Sequence, residues 1–154
     1  MTTAMRSALS IVLLAACTAD PAGGNGNMGP DAGSAVSPSC EEATQHSDLA
    51  WIQTNIFDKS CIFGGCHKSP ASNAGHLVLE AGMSHDALVG KPAETESGWM
   101  RVMAGDVDKS YLLPAIGQGT GPEPVGGFMP LSSPELCTEK REAIQRWIAA
   151  GAPE

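Results

Sequence analysis

The sequence is short of positive charge: nine Lys and Arg stand against 17 Asp and Glu, with no basic cluster. Phosphate neutralisation needs concentrated Lys and Arg, so no nucleic-acid partner is expected. The acidity itself reads as a solvated surface. Long apolar runs are also missing, since the one near the start falls short of the roughly 20 residues that cross a bilayer. No G-x-S-x-G, H-E-x-x-H or phosphate-binding loop occurs. The carboxylates of "TES" and "GDVD" have no base or metal partner beside them in sequence. There is no internal repeat and no strand-rich segment. These absences leave one small, mainly α domain with long ordered loops and no catalytic set.

What is present begins with an export signal. Arg6 precedes the apolar run "ALSIVLLAA", which ends at Cys17. The junction "LAAC", Leu14 to Cys17, resembles a bacterial lipoprotein signal. The resemblance implies a signal peptide over residues 1–16 and acylation of Cys17, a lipid anchor that holds the chain at a membrane. Thr18, not aspartate, follows the cysteine, so the outer membrane or cell surface is expected over the inner membrane. Residues 17–39 are rich in Gly, Pro, Asn and Ser, the composition of a flexible tether. The folded domain is placed at 40–154, where a modest core gains from a staple or a bound cofactor.

Within that domain, Leu49, Ile52 and Ile56, with Trp51 and Phe57 alongside, predict a helix running into Cys61, with Ser47 or Asp48 as its cap. A short extended piece is expected at Leu77–Leu79, then a brief helix over Ser84–Val89. A turn and another short helix carry Tyr111, Leu112 and Leu113, and Gly117–Pro130 reads as an irregular loop. The clearest helix is the last, with Ser132 and Glu135 at capping-box spacing and Pro134 in its first turn. Its apolar face is Cys137, Ile144 and Ile148 with Ala143 and Trp147, and Gly151 and Pro153 stop it.

The chemistry concentrates in "SCIFGGCHKSP", Ser60 to Pro70. In an exported protein, Cys40, Cys61, Cys66 and Cys137 are expected to be paired, metallated or bonded to a cofactor. Cys66-His67 supplies half of the C-x-x-C-H haem-attachment pattern, but four residues separate Cys61 from Cys66 where two are usual. For both thiols to reach a haem, "IFGG" must loop out, which Gly64 and Gly65 make sterically easy. A Cys61–Cys66 disulfide beside a surface His67 is a second reading, and a zinc cage of Cys61, Cys66, His67 and a further ligand is a third.

The pieces "IFDKSC", "GCH", "GDVDKSYLL", "GGFMP" and "IQRWIAAGA" together resemble the small cytochrome c-like domains of bacterial exported proteins. They follow the same order and cover nearly all of residues 48–152, with the C-x4-C-H spacing as the departure. The resemblance implies a compact cytochrome c-like fold around one covalent haem c, held by Cys61 and Cys66. His67 is then the proximal ligand and Met129 the distal one, a pairing that raises the potential over nitrogen-only ligation. Met100, Met103, His76 and His85 are alternatives to Met129. Trp51, Phe63, Phe128 and Trp147 are candidates for an apolar wall around the ring, and Asp106, Lys109, Ser110 and Tyr111 for turn and packing residues. Cys40 and Cys137 are expected to pair, tying the two terminal helices whose contact is a feature of the cytochrome c fold. The implied function is single-electron transfer between redox proteins, with basic partners suited to the acidic surface. A haem-free, disulfide-stabilised binding lipoprotein is the alternative, and a haem enzyme such as a peroxidase a more distant one.

Overall fold

The computed structural model describes residues 36–69 and 74–154. The expected signal peptide, Cys17 and most of the tether lie outside the described residues. Helices and loops make up the described chain, which is mainly α. Its only β pairing is four isolated bridges, such as Val89 with Val102 and Pro92 with Met100. The piece expected to be extended at Leu77–Leu79 lies outside any regular element and joins no β bridge.

Helix α1 spans Pro38–Ala43, with proline in the first turn where a missing N–H costs nothing. Helix α2 spans Leu49–Ile52, and its cap is Asp48, whose carboxylate accepts from the Trp51 N–H at 2.8 Å. The helix then widens into a nine-residue π-helix, Gln53–Cys61, which delivers Cys61 to the site. Such wide turns are rare and concentrate at functional positions. Helix α3 is Ser84–Leu88, and α4, Leu112–Ala115, follows a 3-10 turn at Val107–Lys109.

Helix α5, Thr138–Ala149, closes the fold. It starts later than the capping-box spacing predicts. Ser132 sits in the left-handed region at φ 58°, Leu136 is buried in the core, and Cys137 at the N-cap is bonded to Cys40. These long-range constraints hold residues 132–137 out of the helix, so the Ser132–Glu135 box is not used.

The core is built mainly from the helices. Ile52, Ile56, Phe57, Leu113, Ala143, Ile144, Trp147 and Ile148 are almost fully buried. Each large apolar side chain removed from water contributes about 1.5–3 kcal/mol. α1 is fixed to α5 twice: by the Cys40–Cys137 disulfide, and by Arg146, which donates to the Ala43 carbonyl at 2.7 Å and the His46 carbonyl at 3.0 Å. Those bonds tie the backbone at and just beyond the end of α1 to α5. Two of the four aromatics expected around a ring, Trp51 and Trp147, belong to this core instead. Their indole N–H groups donate to Glu42 and to the Pro153 carbonyl.

Candidate functional site

The π-helix ends at Cys61, and the four residues after it fold out as a bulge. Gly64 and Gly65 take φ of 69° and 84°, values that side-chain-bearing residues rarely adopt. Past the bulge, the His67 N–H donates to the Cys61 carbonyl at 3.1 Å, so the two ends of the loop meet. Cys61 packs against the core, whereas Cys66 lies exposed at the end of the turn. Both are free thiols, and the disulfide alternative for this pair is not formed.

Burial pushes the Cys61 thiol up to about 12 from its usual 9.0. The thiolate is the form that attacks a disulfide or is oxidised, so in the folded chain Cys61 stays in its thiol form near neutral pH. Nor do the sulfurs and the His67 ring gather into a cluster. Among the described residues, the groups that bring three metal-ligating atoms within 4.8 Å of one another do not include Cys61, Cys66 or His67. That spread disfavours the zinc cage, in which a single ion draws all its ligands close.

His67 is positioned by backbone on both sides. Its carbonyl accepts from the Leu79 N–H at 2.8 Å, and its ring Nδ1 lies 3.2 Å from the Leu77 carbonyl. A carbonyl can only accept, so Nδ1 carries the hydrogen and Nε2 keeps its lone pair. Desolvation lowers the pKa of the ring, the Leu77 contact opposes this, and Arg101 lowers it further. Neutral imidazole with a free Nε2 is the form that ligates a metal.

Two residues that sequence reasoning did not single out hold this segment in place. Gln53 is buried, and its amide donates to the Leu79 carbonyl at 2.8 Å and to Asp58 at 2.7 Å while accepting from Ser84 at 2.6 Å. Every polar group of the amide that is needed inside the core is thereby matched. The available signal was a glutamine among the apolar positions of the predicted helix. Arg101 spans the other side, donating to the Gly75 and Ala87 carbonyls at 2.9 Å and to Glu94 at 3.0 Å. No local pattern announces that role.

Met129 sits in the Gly/Pro loop. It is half-buried against the same core as Cys61, and its N–H donates to the Ala115 carbonyl at 2.7 Å. The Gly/Pro loop around it is irregular, as expected. An open cleft of about 380 Å³ lies beside the Cys40–Cys137 disulfide, and Ser60, Phe63, Pro130 and Leu136 are among its lining residues. Cys66, His67 and Met129 lie outside its lining.

The apolar side chains of these loops are not tucked in. Phe63 and Val125 are each 76% exposed, Leu131 57% and Phe128 44%. The other candidate ligands are engaged elsewhere. His76 is exposed beside Glu94 at 3.6 Å, and His85 Nε2 donates to the Ala152 carbonyl at 3.0 Å. The backbones of Met100 and Met103 join isolated bridges with Ser110 and Asp106, and both side chains are half-buried. Ser110 is buried, its hydroxyl bonded to the Asp106 and Met103 carbonyls, and Asp106 caps the 3-10 turn by accepting from Asp108 and Lys109. These are the turn and packing roles expected of that segment.

No helix among the described residues is long and apolar enough to cross a membrane. No family model, curated protein or solved structure matches this chain.

Proposed function

We propose that this chain is an exported, lipid-anchored carrier of single electrons with a cytochrome c-like fold and one covalent haem c. The observation that carries the reading is the state of His67: neutral, with Nδ1–H turned to Leu77 and Nε2 free, directly after an exposed thiol. The donor set fits the group. Two thiols remain unpaired while the chain's other described pair is bonded, and the half-buried Met129 packs against the same core as Cys61.

In this reading Cys61 and Cys66 would hold the haem covalently through their sulfurs, and His67 Nε2 and Met129 would be the residues that ligate its iron. Haem, when bound, supplies the one-electron couple of its iron. The chain's own part is to hold, orient and shield. Leu77 fixes the His67 tautomer, and Gln53 and Arg101 fix the segment that bears Leu77. Phe63, Phe128 and Leu131 become cover against water, which explains their apolar character in loops. The acidic surface favours basic redox partners, and acylated Cys17 confines the encounter to a membrane surface.

The test is the visible spectrum of the full chain made in a host that matures c-type haem, with a denaturing gel stained for covalent haem. A sharp reduced α-band and a stain that disappears in Cys66→Ala are expected. A folded, colourless protein, also from the source cell's own maturation system, overturns the reading in favour of a haem-free shell.

A further inference from the structure

Away from the haem-binding loops, His85 is held as if facing a cation. It lies in the first turn of α3, with about a quarter of its side chain exposed (26%). Its Nε2 donates to the Ala152 carbonyl at 3.0 Å, which fixes the hydrogen on that nitrogen. Nδ1 is closed to solvent and has no hydrogen-bond partner. Two carboxylate oxygens face it nonetheless, Asp86 Oδ1 and Glu154 Oε1, each at 3.7 Å. All three atoms lie within 4.8 Å of one another.

The distances choose between explanations. A neutral ring would aim a lone pair at two negative charges, which is unfavourable. A protonated ring would draw at least one carboxylate into a hydrogen bond of about 2.7–2.9 Å, and 3.7 Å is too long for that. Two donors each about 2.1 Å from a tetrahedral ion stand about 3.4 Å apart, close to the spacing found. The site is also built, not accidental. After α5, the Ala152 N–H donates to the Trp147 carbonyl at 2.9 Å and the Trp147 indole donates to the Pro153 carbonyl at 2.7 Å. Those bonds, with buried Ala152 at φ 49°, anchor the backbone that carries Glu154 beside α3.

We propose that His85, Asp86 and Glu154 form a binding site for a divalent ion of the zinc class. One imidazole with two carboxylates is a donor set suited to such borderline ions. Asp86 and Glu154 are mostly exposed, so the remaining coordination positions open to water. The bound ion links α3 to the segment after α5 and clips the end of the described chain to the domain. The site shares no residue with the haem ligands.

The experiment adds zinc chloride to the full, 15N-labelled chain and follows the imidazole nitrogens of His46, His67, His76 and His85 by NMR. The His85 Nδ1 resonance is expected to shift, saturating at one zinc per chain. Asp86→Asn and Glu154→Gln alter exposed side chains and leave the fold intact, and each is expected to weaken the His85 response about tenfold or more. An unmoved His85 ring overturns the proposal, including the case in which zinc registers only at His67. So does a His85 shift of equal affinity in both variants. Because the readout is the His85 ring itself, the result stands whether or not the chain carries haem.

Discussion

The two cysteine pairs of the described chain behave in opposite ways. Cys40 and Cys137 are 97 residues apart and bonded, while Cys61 and Cys66 have only four residues between them and are both free. Nearness in sequence therefore decides nothing here. Packing of α1 on α5 brings the distant pair to a Cα separation of 6.3 Å, within the range a disulfide accepts. The near pair is split by its surroundings, with Cys61 turned against the core and Cys66 carried outward by the glycine bulge. One pair belongs to a helical frame that holds itself together. The other brackets a bulge at the end of the π-helix, where Phe63 is exposed.

The sharpest way to break that contrast is to remove the bonded pair. Closing a loop of 97 residues restricts the unfolded chain by about 4–5 kcal/mol in the entropic account. The double variant Cys40→Ala, Cys137→Ala is expected to lose that much stability in urea unfolding. A loss below about 1 kcal/mol would mean that Arg146 and the apolar face of α5 hold α1 alone. If the chain carries haem as proposed, the haem stain of the same variant, at a temperature where it is folded, is expected to persist, since neither residue lies in the proposed attachment segment.

The free pair can be sharpened with a thiol reagent on haem-free protein. Raising the Cys61 pKa from 9.0 to about 12 cuts its thiolate fraction about a thousandfold near neutral pH. Peptide mapping after brief alkylation is expected to find Cys66 labelled and Cys61 untouched, with both reacting after denaturation. Equal labelling of the two in the folded chain would erase the difference in environment on which the comparison rests. In haem-loaded protein, neither thiol should react.

The same contrast marks what could be read from residues alone. The buried face of α5 was legible because Ala143, Ile144, Trp147 and Ile148 repeat at helical spacing, and packing agrees with that period. Asp48 was legible as a cap, and Gly64-Gly65 as a bulge, because both roles are set within a few residues. The start of α5 was not. Ser132 and Glu135 satisfy a local rule, but the buried Leu136 and the bond to Cys40 overrule it from across the fold. The support of His67 was hidden for the same reason. Its ring meets a carbonyl ten residues on, and the segment bearing that carbonyl is held at Leu79 by Gln53 of the π-helix and at Gly75 by Arg101. Side chains that act through backbone carbonyls leave no periodic trace.

The smallest expected effect tests whether the frame has a weak point of its own, at Asp48. The Trp51 N–H, and after it His46, hold the Asp48 carboxyl below its usual 3.8. The folded chain therefore binds fewer protons than the unfolded chain in acid, and stability rises with pH through that range. The contribution is complete above about pH 3.8 and is lost as pH falls below it towards the lower folded value. Asp48→Asn keeps an acceptor for Trp51 but cannot titrate, and at pH 6 it loses about 0.3–1 kcal/mol, the worth of a carboxylate at a helix start. Urea unfolding of the two proteins at pH 6 and pH 3 is expected to show that gap narrowing in acid. A gap that stays constant would place the acid sensitivity of the frame at other carboxylates and leave Asp48 as a neutral cap.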